Sequence, residues 1–397
     1  MMKKNSIIGI VGSIVALVSG LAAAGAITKN KAPQIAMSIY PFNGFAAESL
    51  AARTVRLKIT QNQGRFPHDL DSTTVNLAEQ AFVAEPVTPA AVAVLALGGP
   101  QANRRSLMDR ALTLSRRQQL ITGWMIADSA ENEDIPAILK HYDIMARASS
   151  SAAAAVIPVM AGAIANDDFV APFTALLKKQ PPWENQFWAT VVATPNSLVN
   201  AARMREALYN PNESLYSYRD PELILGLINI QQFDPALKLY DLLVGSNKSN
   251  DLLENSSFEN ESRFQPVDWQ LFSTGSYGAS ITNGNLQLSA ISSAGGVFAR
   301  QLVKLPASIV QLQAKVDSDI PQGTELSINL QCAEKSDKRP LPVKIKIEKS
   351  STLRRINNQG SGCEYYWLDV TGRSLENGAG FDINIASISL TPLLRTE

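Results

Sequence analysis

Two histidines, two cysteines and a charged fraction of only 18% limit the chemistry open to this 397-residue chain. A four-ligand zinc site has almost no material here, and histidine-based catalysis has two candidates at most. Lysine plus arginine equal aspartate plus glutamate at 36 each, so the formal net charge is zero. That balance argues against nucleic acid as a ligand, because phosphate binding needs a local surplus of basic residues. A glycine-rich phosphate loop, a zinc-ligand spacing and a nucleophile turn of the Gly-x-Ser-x-Gly kind are all missing. Glycoside hydrolysis needs two carboxylates placed across a sugar, and no pattern among the acidic residues singles out a pair. The chain therefore reads as a non-enzyme without cofactor or metal.

What is present argues for folded domains. Apolar residues make up 45% of the sequence, too many for wholesale disorder, and the length suits two ordinary domains. Lys3 and Lys4 precede a run from Asn5 to Thr28 that holds no charged residue. Its roughly 20 apolar residues match the hydrocarbon thickness of a bilayer. Residues 1–30 are expected to form a signal-anchor, a single transmembrane pass in the inner membrane with the bulk of the chain in the periplasm. Ala22-Ala23-Ala24 and Ala24-Gly25-Ala26 are small-x-small cleavage patterns, which keep open a cleaved signal and a soluble periplasmic or secreted protein. Either way the rest of the chain is exported.

Residues 31–247 read as an all-α helical-repeat domain of tetratricopeptide-like kind. Its organising stretch is residues 114–148, two amphipathic helices around the acidic break Glu131-Asn132-Glu133-Asp134. Leu120, Trp124 and the residues 126–130 offer one apolar face, and Ile138, Leu139, Tyr142 and Met145 the other. A helix pair of about 34 residues is the unit of such solenoids. Further helical patterns cover 46–59, 73–83, 106–114, 172–179, 187–192, 198–208 and 221–230. Thr88 is placed to cap a helix beginning at Pro89, and Pro158 should kink or delay a helix over 151–164. The segment 137–145, AILKHYDIM, is echoed by 235–243, PALKLYDLL, as if the second helix of a repeat recurs. His141 and Asp143, two apart on a helix, point in different directions and form no dyad; His141 reads as a packed, hydrogen-bonded core residue and Asp143 as a partner for Arg147. His68 reads as a turn residue. Trp183 and Trp188 read as packing between helix pairs.

A polar linker at 245–250 separates this half from an all-β half over 250–397. Seven alternating runs, at 285–288, 296–303, 309–316, 326–331, 343–347, 366–370 and 382–390, indicate an antiparallel sandwich. Cys332 and Cys363 fall in neighbouring β elements of an exported domain, where a structural disulfide is favoured. Trp269 reads as a core anchor. Tyr277, Tyr365 and Trp367 are the candidates for stacking on a sugar, although alternation alone leaves open whether Tyr365 and Trp367 or Tyr366 and Leu368 face solvent.

Leu114 to Arg117, Trp124 to Ile126, His141 to Asp143 with Arg147, and Pro181 to Trp183 with Phe187 resemble a family of exported bacterial proteins of undefined activity. That resemblance implies a membrane-anchored, tetratricopeptide-like helical domain joined to a C-terminal sandwich resembling a carbohydrate-binding module. The opening of the β half, Leu253 to Glu259 and then Pro266 to Trp269, is similar to the start of jelly-roll carbohydrate-binding modules, which implies a jelly-roll-like sandwich. The resemblance also implies acidic calcium ligands just before the closing apolar pair of the last strand. Ala386 and Ser387 stand there instead, so calcium is in doubt. The expected function is a tethered scaffold of the cell envelope, its helical half binding a protein and its β half contacting polysaccharide. Two other outcomes stay open: an enzyme of envelope polysaccharide metabolism, and an assembly component whose sandwich binds protein only.

Overall fold

A computed structural model describes residues 31–211, 219–245, 250–335, 342–348, 350–375 and 379–393. The expected transmembrane run at 5–28 lies outside them, and among the described residues no single helix is long and apolar enough to cross a membrane. Thirteen α-helices come first among those residues and ten β-strands follow. The helices are α1 (Pro33–Ile39), α2 (Gly44–Gln61), α3 (Ser72–Ala84), α4 (Pro89–Gly98), α5 (Gln101–Leu114), α6 (Gln119–Glu131), α7 (Ile135–Ala148), α8 (Ser150–Ala163), α9 (Val170–Leu177), α10 (Glu184–Val191), α11 (Leu198–Ala207), α12 (Asp220–Asn229) and α13 (Phe233–Val244).

Short polar residues start several of them, as helix N-termini require. Asn43 accepts from the Ala46 amide at 3.0 Å, Asp71 from Thr74 at 2.9 Å and Asp134 from Ala137 at 3.1 Å. Thr88 departs from expectation. It occupies the cap position of α4, but its hydroxyl donates back to the Glu85 carbonyl at 2.8 Å, and Glu48 takes the Ala90 amide at 2.7 Å in its place. Nor does Pro158 delay α8, which begins at Ser150 and runs through it. Ser149 Oγ accepts from the Ala152 amide at 3.1 Å, and the alanines that follow favour helix strongly enough to carry it past one lost hydrogen bond.

Successive helices pack on each other from α1 to α8 and again from α11 to α13, and α2 also meets α4 while α4 meets α6. The contacts are close because alanine fills them: Ala47, Ala51, Ala78, Ala81, Ala90 and Ala93 all lie in the core with Val55, Val94, Met108 and Trp124. At Gly44 a methyl group would meet the Ala81 carbonyl at 2.9 Å, so even alanine is too large there. The predicted hairpin over 114–148 is α6 packed on α7, Leu114 itself being the last residue of α5. Leu120, Trp124, Ile138 and Leu139 are buried, Ile126, Tyr142 and Met145 half-buried, and Ala130 is exposed. The echoed segments fall in α7 and α13. Both bury Ile138/Ala236 and His141/Leu239 and expose Lys140/Lys238, so they present the same face. Asp143 bonds Arg147 at 2.7 Å and also accepts from the Trp183 indole at 2.9 Å. His141 is packed as expected, but its Nδ1 has no hydrogen-bond partner among the described residues, and burial lowers its pKa. His68 is exposed, as a turn residue should be.

The strands are β1 (Gln270–Leu271), β2 (Tyr277–Thr282), β3 (Asn285–Ala290), β4 (Gly295–Lys304), β5 (Ile309–Val316), β6 (Thr324–Cys332), β7 (Val343–Lys346), β8 (Ser351–Asn357), β9 (Tyr365–Ser374) and β10 (Phe381–Pro392). They form two antiparallel five-stranded sheets, ordered β1-β4-β9-β6-β7 and β2-β3-β10-β5-β8. Leu326, Ile328, Leu330, Tyr366, Leu368 and Val370 from the first sheet meet Leu286, Leu288, Leu312, Ile383, Ile385 and Ile388 from the second. Ile385 and Ile388 can both face inward because a bulge takes up Ala386. Trp269 is fully buried and donates its indole N–H to the Asn255 carbonyl at 3.2 Å, the core anchor expected of it.

Cys332 and Cys363 are joined, as expected. The bridge closes a separation of 31 residues, so opening it should cost about 3–4 kcal/mol in the chain-entropy picture. Cys363→Ala should lower the melting temperature of the unit holding the sandwich. Scanning calorimetry that shows no shift, or two titratable thiols in the oxidised wild-type protein, would overturn this expectation.

The structure forms two compact units. One comprises Met1–Ala163 with Ala171–Phe187, and the other Ile164–Val170 with Trp188–Glu397. Helices α11 to α13 therefore belong with the sandwich. The physical reason is side-chain packing that composition cannot show: Phe233 packs at a tilt on Tyr365 with ring centres 4.9 Å apart, Tyr240 meets Phe264 edge-on at 5.6 Å, and Gln231 donates to the Ala333 carbonyl at 3.0 Å.

Candidate functional site

Period-two alternation along β9 divides its side chains between two environments. Tyr366, Leu368 and Val370 enter the core between the sheets, which leaves Tyr365, Trp367, Asp369 and Thr371 on the outer face. Register then assembles a row across the sheet. Gln270, Arg300, Asp369, Asn329 and Lys344 stand directly opposite one another on β1, β4, β9, β6 and β7. Beside them, Leu302, Trp367 and Gln331 form a shorter row.

Trp367 is half-buried, and the Arg300 guanidinium lies 5.2 Å from its ring centre and 5.9 Å from that of Phe272. Arg300 is held there by a two-point pair with Asp369, at 2.6 and 2.9 Å, and that pair raises its pKa. Asn329 donates to the Thr371 hydroxyl at 3.0 Å while its own Oδ1 has no partner among the described residues. The Ser327 hydroxyl lies 2.8 Å from the same Thr371 oxygen. An indole thus sits beside a guanidinium and a carboxylate fixed on each other, with the Asn329 amide and Thr371 hydroxyl bonded alongside.

The other candidates lie elsewhere. Tyr365 is only 5% exposed, closed off by Phe233 and hydrogen-bonded through its hydroxyl to Asp234, so it presents no open ring. Lys304 completes that cluster, bonding Asp234 at 2.8 Å, and a hollow of about 260 Å³ adjoins it. Tyr277 packs its ring on Phe298 at 5.0 Å, and its hydroxyl lies so near Gly296 that a methyl group there would be 2.4 Å away. It borders a depression of about 650 Å³ on the second sheet, lined by Ser280, Gln287, Ser289 and Asn384 among others. Sequence alternation could have joined Asp369 and Thr371 to Trp367. Arg300 and Asn329 required the strand order, which no local pattern carries.

The buried carboxylates are occupied with structure. Asp268 accepts from the amides of Arg263 and Phe264 at 2.7 and 2.9 Å, and Glu254 accepts from Tyr240 at 3.3 Å; burial raises the pKa of both. Cys332, Glu334 and Cys363 bring three possible metal-binding atoms together, but the two sulfurs are bonded to each other and offer no thiolate.

The described fold is thus a helical array followed by a two-sheet antiparallel sandwich. No family model and no curated protein matches the chain. Among solved structures it is similar to the carbohydrate-binding module TmCBM61 in complex with β-1,4-galactotriose, at 17% identity over 36% of this chain and 100% of that one, TM-score 0.26. It is also similar to a CBM4 structure, at 12% identity over 36% of this chain and 99% of that one, TM-score 0.26. A third is an arabinose-bound GH51 α-L-arabinofuranosidase, at 19% identity over 36% of this chain and 26% of that one, TM-score 0.24.

Proposed function

We propose that this protein is a membrane-tethered binding protein of the bacterial envelope whose sandwich contacts polysaccharide on the face that carries Trp367. The observation that supports the glycan reading is the half-buried indole on the outer face of the sheet, set beside Arg300, Asp369, Asn329 and Gln331. Sugars offer C–H faces that pack on rings and hydroxyls that need donors and acceptors at the rim. The helices of the first unit, which pack on their sequence neighbours from α1 to α8, support a repeat-type surface for a protein partner. The uncharged run at 5–28 supports the tether and an inner-membrane, single-pass location. Binding rather than catalysis is supported by the carboxylates of the face and of the buried cluster, which are engaged in fixed hydrogen bonds.

Isothermal titration of the full chain with the host's own exopolysaccharide tests the glycan reading. Trp367→Ala should abolish the heat of binding while the melting temperature falls little, because the ring is half outside the core. Equal heats for wild type and variant, or no heat for either, would leave the sandwich as a protein-binding or structural element. Retention in the membrane pellet after alkaline carbonate extraction tests the tether. A mature N-terminus near Gly25 or Ile27 in the mass spectrum would replace it with a cleaved signal.

A further inference from the structure

The first helical unit exposes large apolar side chains at one corner. Pro41 and Phe42 are exposed in the turn between α1 and α2, and Phe42 is 72% accessible. At the end of α3 and just beyond it, Phe82, Val83, Ala84, Pro86 and Val87 are exposed too, Val83 at 81% and Val87 at 63%. These two stretches lie against each other. Gln80 donates to the Pro41 carbonyl at 2.7 Å, and Gly44 abuts the Ala81 carbonyl and the Glu85 side chain. Phe42, Phe82, Val83 and Val87 therefore belong to one patch, with Glu85 its one acidic neighbour between residues 81 and 87. A scattered apolar residue on a surface needs no explanation, but a contiguous group of this kind marks something that covers it.

Chain connectivity says what covers it. The uncharged run ends at Thr28, and α1 begins at Pro33. Five residues can span at most about 18 Å, and the seven residues of α1 add about 10 Å along their axis. Phe42 follows three residues after the end of α1. If 5–28 enters a bilayer, the patch cannot move far from that bilayer's surface. Lys29 and Lys31 flank the junction, suited to anionic headgroups. Tyr40 meets Phe42 edge-on at 6.1 Å, and aromatic and branched aliphatic side chains are the groups that settle at the headgroup boundary.

We propose that the Phe42/Val83/Val87 corner docks into the lipid surface of the membrane that holds residues 5–28, a second attachment that fixes how the helical unit stands on the bilayer. The proposal rests on the tether reading. Its occupant is the lipid headgroup and upper acyl region, not a protein.

The test uses the full chain in vesicles of phosphatidylethanolamine and phosphatidylglycerol. Because the two native cysteines are bonded to each other, Phe42→Cys, Val83→Cys and, as a control on exposed α7, Lys140→Cys each supply one reactive thiol for an environment-sensitive fluorophore. Nitroxide-bearing lipids should quench the probes at positions 42 and 83 several-fold more strongly than the probe at 140. All three variants change exposed positions and should fold. Flotation with the vesicles together with equal quenching at all three sites would overturn the patch and leave the tether standing. Failure to float would overturn both. A blue-shifted probe at 42 that lipid nitroxides do not reach means that a protein surface, a second copy included, covers the corner, and this too overturns the proposal.

Discussion

Asp220→Ala should destabilise the second compact unit by about 3–5 kcal/mol, the cost of breaking a buried ion pair from one side. Asp220 opens α12 and is fully buried, and Arg205, near the end of α11, is 2% exposed. They meet at two points, Nε to Oδ1 at 2.8 Å and Nη2 to Oδ2 at 3.1 Å. Burial pushes the Asp220 pKa up and the guanidinium opposes it. Removing the carboxylate takes the two-point acceptor from a buried guanidinium. The size of the loss measures the desolvation of that charge more than any net benefit of the pair. A double replacement by apolar residues, Arg205→Met with Asp220→Leu, should therefore recover most of the stability. Urea unfolding followed by far-UV circular dichroism separates the outcomes. A shift for Asp220→Ala worth less than about 1 kcal/mol, the ceiling for exposed pairs, would mean that water reaches the pair.

That pair also marks where sequence reading reaches its limit. The helical and β halves were legible because each carries its own period: 3.6 residues through α6 and α7, and two residues along β5, which was predicted at 309–316 and found there. β8 was missed because its run, STLRRIN, buries only Thr352 and Ile356 and so alternates weakly. β1 has two residues, too few for any period. The disulfide was legible because no other cysteine competes. Which helices pack with the sandwich was not. A change from helix to strand at 245–250 looks like a domain junction, yet α13 and the turn before it are bound to the sandwich through Phe233 and Gln231, contacts to residues more than 100 positions away. The same limit applies to the candidate site. Trp367 was named from composition, and its neighbours emerged only when register set Asp369 opposite both Arg300 and Asn329.

Tyr365, named beside Trp367 as a sugar-stacking residue, should behave differently. Its ring packs at a tilt on Phe233 with ring centres 4.9 Å apart, the Lys304 ammonium lies 5.1 Å over it, and its hydroxyl donates to Asp234. Tyr365→Ala should cost about 3–5 kcal/mol, the usual price of deleting a buried aromatic ring, and should loosen α13 from the sandwich. Tyr365→Phe keeps the ring and loses only the hydroxyl bond, at about 1–2 kcal/mol. Burial first, then the bond to Asp234, pushes the phenol up to about 12, so it stays neutral through the physiological range. Lys304 and the phenol hold Asp234 below the ordinary carboxylate range. A depressed folded pKa gives stability that is complete above the unfolded value near 3.9 and is lost as pH falls through the folded one. The cluster should thus hold at neutral pH and weaken only in acid. In the Phe variant the Asp234 carboxyl, followed by NMR, should titrate at higher pH than in wild type. Hydrogen exchange across 233–244 in the Ala variant should rise, while the 31–163 region stays protected. If Tyr365→Ala instead leaves stability within about 1 kcal/mol and removes polysaccharide binding, the ring is open to ligand, and the attachment of α13 to β9 has been misassigned.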